Sequence, residues 1–409
     1  MKKLIFTLAA SVLALGASAQ YYQDAANPDI LHIEQPRTQQ RAVFNVPQIN
    51  GYNVYKADLH THTIFSDGHT TIDYRIREAW MDGLDIYAVT EHAEYRPHES
   101  TFIKWLKGYV RPEVERAKNH RLVNATAEKG ADKDGIQVDL NLPYVKAQAV
   151  AKQFGITVIP GIEITRTPAT IGHYNALFIK DANSIFDNDP EQSIRNARAQ
   201  GALIMHNHPG WSRTSLEMTK FEKRVYKEGL IDGIEIMNGV EFYPKAIERA
   251  KKYDLFMSSN TDIHRTTYEV YAMNGHHRNM TLILAKDKSL ESLREALEAK
   301  RTLAYSFGTV AGDEKLLQDL FNASVKVVYS AVEKPGRIYL QFENRSSIDF
   351  LLRLGEGGEL IRLDGGKSVS VRHKDSYGKN LIVENMWSEK GNTVTIDLTP
   401  HLEAAMAAE

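Results

Sequence analysis

The chain has 409 residues, 43% of them hydrophobic, with 13 prolines and 26 glycines, a composition that supports at least one sizeable core and excludes a disordered or fibrous chain. Its 50 basic residues face 52 acidic ones, a formal net charge of -2, so no long-range field gathers nucleic acid or an anionic membrane, and an anionic substrate must be caught locally. Cysteine is absent, which excludes disulfides and thiolate metal sites and leaves nitrogen and oxygen ligands, with 15 histidines to account for.

The first residues read as an export signal: Lys2 and Lys3, an apolar run from Leu4 to about Leu15, then the small-x-small triplet Ala17-Ser18-Ala19. The run is too short to span a bilayer, so residues 1–19 are expected to be removed and the mature protein to lie in the periplasm or outside the cell, with no membrane insertion after cleavage. Residues 20–50 are polar, hold Pro28, Pro36 and Pro47, and lack periodicity, as in an arm laid over a domain surface.

From Tyr55 short apolar runs recur: Ala57 to His60, Leu84 to Thr90, Ile156 to Ile164, Tyr174 to Ile179, Ala202 to Met205, Ile231 to Met237 and Leu255 to Ser259. Amphipathic stretches such as Ile72 to Asp82, Asp189 to Gln200 and Pro244 to Tyr253 separate them. This alternation predicts an α/β domain over 51–310, with β/α units around a parallel sheet closed as a barrel or nearly so. Residues 96–153 interrupt the repeat with two helical stretches, one around Trp105, Leu106, Tyr109 and Val110 and one over Tyr144 to Phe154, and are expected to cap one end. Over 320–409 alternating segments joined by Gly357-Gly358, Gly365-Gly366 and Gly391-Asn392 predict antiparallel hairpins and a small C-terminal β-sandwich.

Nearly every apolar run of the first domain ends in residues that bind metals. The chain reads Asp58-Leu59-His60-Thr61-His62 followed by Asp67, then Thr90-Glu91-His92, Glu163, His173, His206-Asn207-His208-Pro209-Gly210 and Asp262-Ile263-His264. Strand ends of a barrel converge on one mouth, so side chains distant in sequence meet there. In extended chain, residues two apart share a face, which pairs His60 with His62 and Asp262 with His264. Singly, each residue has an ordinary explanation: Asp67 before Gly68 suits a turn, and a lone histidine is more often hydrogen-bonded than ligating. Glu163 is harder to dismiss, because an unpaired buried carboxylate is expensive. Their recurrence at one kind of position carries the inference.

These motifs resemble the polymerase and histidinol phosphatase, or PHP, family of metal phosphoesterases, over about Tyr55 to Gly308. The resemblance implies a distorted (β/α)7 barrel with a trinuclear site. His60, His62, Glu163 and Asp262 would hold one metal, Glu163 would bridge to a second completed by His173 and His208, and Asp67, His92 and His264 would hold a third. Glu91 stands where the family usually has Asp, and His206 lies two residues before the family's His208. The candidate catalytic residues are Glu91, His206, as a rival of His208 for the same metal or as a substrate contact, and Arg213 as a phosphate clamp, with Arg166, Arg265 and Arg278 as further cations near the motifs. The segment Tyr268 to Arg278 reads as a loop over the site.

The expected function is hydrolysis of phosphate mono- or diesters by metal-activated water. The donor set suits Zn, Mn or Fe, three ions by the resemblance. The chain lacks a Gly-x-Ser-x-Gly elbow and a nucleotide-binding Gly-rich loop, so no protein nucleophile or phosphate cradle competes with this reading. The expected partner is a small phosphorylated substrate; no basic stripe or aromatic ladder points to nucleic acid. The rival readings are an amidohydrolase-type metal hydrolase and a secreted metal- or glycan-binding protein on an inactive barrel.

Overall fold

The computed structural model describes residues 40–98, 138–166, 168–330, 338–389 and 391–406; contacts divide the chain after residue 40, and the fold below is that of residues 41–409. The signal and most of the arm, together with Trp105, Leu106, Tyr109 and Val110 of the expected cap, lie outside the described residues.

The first strand, β1 (Asn53–Asp58), leads to α1 (Ile72–Met81), whose N-cap Thr71 accepts the Tyr74 N–H. Next come β2 (Ile86–Val89), buried at every position, and α2 (Leu142–Phe154), which stops at Gly155 with φ 64°. Strands β3 (Thr157–Ile164) and β4 (His173–Leu177) precede α3 (Pro190–Ala199), capped by Asp189 with proline at its first turn. Strand β5 (Leu203–Asn207) and α4 (Lys220–Lys227) follow, the helix opening on a reciprocal Thr219/Glu222 capping box. Then come β6 (Gly233–Asn238), the short β7 (Glu241–Phe242), α5 (Pro244–Tyr253) and β8 (Phe256–Asn260). Each of the seven apolar runs read from the sequence overlaps one of the strands β1 to β6 and β8, the first only at Ala57 and Asp58.

Strands β1, β2 and β3 pair in parallel, as do β5, β6 and β8. Strand β4 is antiparallel to both β3 and β5, which corrects the expected unbroken parallel order. A parallel neighbour needs a crossover of about a dozen or more residues, and the link from Ile164 to His173 is shorter than that, so the chain turns straight back. Just past the first and last of these strands the chain meets itself: Thr61 bridges Ile263, and the Asp262 N–H donates to the His60 carbonyl at 2.9 Å.

Beyond β8 come a single helical turn, α6 (Thr267–Val270), then β9 (Met280–Ala285), α7 (Leu290–Glu298), β10 (Thr302–Ser306), β11 (Thr309–Gly312) and α8 (Glu314–Ser324). Strand β9 lies antiparallel between β1 and β10, and β10 and β11 form a hairpin. The C-terminal segment holds β12 (Val325–Ser330), β13 (Ile338–Asn344), β14 (Phe350–Leu354), β15 (Leu360–Leu363), β16 (Ser368–His373), β17 (Asn380–Glu389), β18 (Asn392–Asp397) and α9 (Thr399–Met406). Strands β12, β13 and β16 make one antiparallel sheet, while β15, β14, β17 and β18 make another run that joins the main sheet where β17 pairs in parallel with β11. A strand pairing therefore crosses the boundary expected between 310 and 320.

The two-residue period of the strands separates two apolar clusters. Ile86 and Ala88 of β2 join Ala57, Ile159, Leu203, Met205 and Phe256, whereas Tyr87 and Val89 join the larger cluster packed against the helices. The first group fills the space among the strands, and the polar residues at their C-terminal ends lie beyond it.

Candidate metal centre

Nine of the sequence-derived residues come together at those strand ends. They form four overlapping groups whose ligand atoms lie within 4.8 Å of one another: His62 with Asp67, His92 and His264; His60 with His62 and Glu163; His60 with His208 and Asp262; Glu163 with His173 and His208. Glu163 on β3 is fully buried at the centre. Its Oε1 lies 3.3 Å from His60 Nε2, 3.4 Å from His173 Nδ1 and 3.7 Å from His208 Nε2, and its Oε2 lies 2.5 Å from His92 Nδ1. Asp262 Oδ1 reaches His62 Nε2 at 3.0 Å and His60 Nε2 at 3.3 Å, while Asp67 Oδ1 sits 3.1 Å from His264 Nε2 and 3.3 Å from His92 Nε2.

Backbone geometry aims these side chains. His60 and His62 extend β1 and bring their Nε2 atoms to 3.1 Å, as the two-residue period requires. Gly68 permits the turn that presents Asp67, because a Cβ there would stand 2.6 Å from the His62 carbonyl carbon. His208 and Asp262 take positive φ values, 24° and 51°, a costly conformation for non-glycine residues that concentrates at functional sites. Each lies just past its strand, so the chain leaves the alternation and turns the side chain into the cluster.

That twist separates His206 from His208. His206 lies on the face of β5 opposite Asn207, whose amide donates to Glu163 at 2.8 Å. Its Nδ1 is 2.7 Å from the Tyr226 hydroxyl and its ring stacks on Tyr174, so it belongs to none of the four groups. His206 therefore does not compete with His208 for a metal, and it lines the small pocket shared with His173, His208, Trp211 and Arg213. Arg213 is likewise engaged, 2.5 Å from the buried Glu222 and donating to the Ala169 carbonyl. Arg166 pairs with Glu94 at 3.0 Å, and fully buried Arg278 pairs with Asp58 and Asp82, so neither is a free phosphate clamp; Arg265 is exposed. Glu91 accepts from the Thr63 N–H and from the hydroxyls of Thr63 and Ser66, and so braces the turn before Asp67 rather than joining the ligand groups.

The donor set fits divalent ions. Six imidazoles and three carboxylates converge, and several of their buried atoms lack hydrogen bonds, notably both ring nitrogens of His173 and Oδ1 of Asp67. Such atoms are expensive unless something satisfies them. Protons supply part of that charge. Burial disfavours the His60 imidazolium, but Asp262, Glu235 and Glu163 outweigh it and hold its pKa well above the ordinary value. Burial likewise opposes protonation of His92, and Glu163 and Asp67 prevail. Burial, reinforced by His92 and His264, takes His62 down to about 3, which leaves an imidazole lone pair free for a cation.

Sequence reasoning missed Glu235. This buried carboxylate on β6 lies 3.0 Å from His60 Nδ1 and accepts the His208 N–H at 2.7 Å and the Asn260 amide at 2.9 Å. A carboxylate on the far nitrogen fixes which ring nitrogen of a histidine is left for the metal. The signal was present, an acid inside the apolar run Ile234-Glu235-Ile236. Glu235→Gln is expected to lower metal affinity about 10- to 100-fold, measured by competition with a chelator.

Residues 58–355 match the PHP domain family. A solved two-domain protein from Bacteroides vulgatus ATCC 8482, described as containing a predicted PHP-like metal-dependent phosphoesterase, is 29% identical with a TM-score of 0.74, over 88% of this chain and 99% of that one. A candidate metal-dependent phosphoesterase from Bifidobacterium adolescentis ATCC 15703 is 13% identical with a TM-score of 0.35, over 51% of this chain and 88% of its own. An amidohydrolase from Chromobacterium violaceum is 16% identical with a TM-score of 0.32, over 52% and 89%. The last two similarities are too weak to carry an argument. No curated protein sequence matches the chain.

Proposed function

This chain belongs to the PHP family, and from that premise we propose that it is an exported phosphoesterase that hydrolyses phosphate mono- or diesters at a site holding three divalent ions. The observation that carries the proposal is Glu163, one buried carboxylate with its two oxygens directed at His60, His173 and His208 on one side and His92 on the other. In this reading His60, His62, Glu163 and Asp262 hold the first ion, Glu163, His173 and His208 the second, and Asp67, His92 and His264 the third. Bound divalent ions, Zn, Mn or Fe, supply Lewis acidity toward a phosphoryl group and acidify water.

The chain's own residues prepare that chemistry. Glu235 orients His60, and Glu91 fixes the Thr63 to Ser66 turn that carries Asp67 into place. The Asn207 amide donates to Oε1 of Glu163 and helps to hold that carboxylate in place. The centre opens toward solvent through Asp67, Asp262 and His264, whose side chains are 18%, 21% and 35% exposed, while the other ligands are buried. A small phosphate ester would enter there. We read the seven strands β1 to β6 and β8 as a distorted (β/α)7 barrel and the strands after about residue 320 as a small appended β-domain. Export rests on the signal-like N-terminus and favours scavenging of phosphate from esters outside the cytoplasm.

The test is metal analysis of the chain from residue 20 onward, with hydrolysis of p-nitrophenyl phosphate and bis-p-nitrophenyl phosphate, beside His60→Ala and Asp262→Ala. About three ions per chain and turnover lost in both variants are expected. A protein that stays metal-free and inert after reconstitution with Mn, Zn and Fe(II) overturns the proposal.

A further inference from the structure

Trp211 is 45% exposed, yet the turn that carries it is fixed from several sides. Its N–H donates to the His208 carbonyl at 2.9 Å, and the Arg213 N–H donates to the Gly210 carbonyl at 3.2 Å. Ser212 takes a φ of 55°, and Gly210 packs so closely on Tyr243 that a Cβ would stand 2.6 Å from the ring. Arg213, bound to Glu222 and the Ala169 carbonyl, anchors the end of the turn. The indole centroid lies 5.1 Å from that of His173 at a 43° tilt and 5.7 Å from that of His208 at 61°. A large apolar ring is therefore held beside two of the candidate ligands with much of its surface in water.

We infer that Trp211 is a stacking platform for a planar leaving group, so that this site takes aryl or heteroaryl phosphates in preference to alkyl ones. The inference rests on the phosphoesterase reading above. The geometry suits it in two respects. Aromatic pairs gain beyond the area they bury when rings meet offset or edge to face, and an indole beside His173 and His208 offers such a surface to whatever the phosphate carries. The ordering cost of the platform is also met in advance, since the turn is locked before any ligand arrives. Arg213 is held by Glu222 and His206 Nδ1 by the Tyr226 hydroxyl, and the aromatic face beside His173 and His208 is that of Trp211.

A simpler role for the ring is to shelter His173 from water, and the test separates the two. Phenylphosphonate and methylphosphonate, which are not cleaved, are titrated calorimetrically into the metal-loaded full chain, alongside Trp211→Leu, which keeps an apolar cover without a π face, and Trp211→Phe. The native chain is expected to bind phenylphosphonate about three- to tenfold tighter than methylphosphonate. Trp211→Leu lowers that ratio toward one with its metal content retained, and Trp211→Phe restores most of it. A native chain that does not discriminate, a Leu variant that keeps the ratio, or a Leu variant that loses metal and both ligands together overturns the inference. Because phosphonate binding needs no turnover, a preserved ratio without hydrolysis of any ester sinks the phosphoesterase reading and leaves the platform standing.

Discussion

Glu163→Ala is expected to release the ions bound at the centre and to reduce ester hydrolysis by more than about a hundredfold, read by metal analysis and p-nitrophenyl ester turnover. Removing a group that merely orients a ligand typically costs about 10- to 100-fold in affinity or activity, and Glu163 is proposed to touch two ions at once. The loss is also electrostatic. Burial alone would raise the Glu163 pKa, but His92 and His60, with His173 and His208 beside them, hold it well below the ordinary carboxylate range. It is therefore an anion at neutral pH, central to a cluster of imidazoles. Without that charge, cations at adjacent positions would repel one another with little between them. Glu163→Gln, which keeps the shape and removes the charge, separates the two contributions: a variant as depleted as Glu163→Ala assigns the effect to charge.

Arg278→Met is expected to destabilise the fold by about 3–5 kcal/mol, measured by chemical denaturation of the metal-free protein. Arg278 is fully buried, 2.5 Å from Asp58 Oδ2 and 3.0 Å from Asp82 Oδ2, and Asp58 is fully buried too. Asp58 also accepts the N–H of His60 and of Thr261, each at 3.2 Å, and so binds the C-terminal ends of β1 and β8 to each other. Removing the guanidinium leaves a buried carboxylate unpaired, which is the costly half of breaking such a pair. Adding Asp58→Asn to Arg278→Met should recover part of the loss, because the stranded charge is gone. Equal stability of the native chain and the single variant would show that water or rearrangement satisfies Asp58.

The ligand set was legible in the sequence because its chemistry is local: a histidine or carboxylate at the end of an apolar run looks the same in the chain as it does at the strand end. All nine such residues meet in the structure. Direction and environment were less visible. The reversal of β4 follows from the short link after Ile164, a length present in the sequence that the β/α repeat around it does not encode. His206 and His208 share a face at a spacing of two, and the positive φ of His208 sends the two side chains into different surroundings. Arg278 stands near the motifs as a candidate for phosphate, and the fold instead places it beside Asp58 and Asp82. Strand β9 pairs with β1 and β17 with β11, partners far away in sequence that no local pattern encodes.

The pairing of β1 bears on the order in which the protein assembles. Asn53 lies opposite Ala285 and Ala57 opposite Thr281, so one edge of the first strand waits for a strand more than two hundred residues downstream. Contacts of that separation carry a high loop-closure cost and slow folding. As the chain is synthesised, β1 and its two histidines emerge long before β9 exists to cover them, with an open hydrogen-bonding edge throughout that interval. The centre therefore cannot serve as a nucleus for the fold. It completes late, and a cation that stabilises the finished protein is expected to slow its unfolding far more than it speeds its formation.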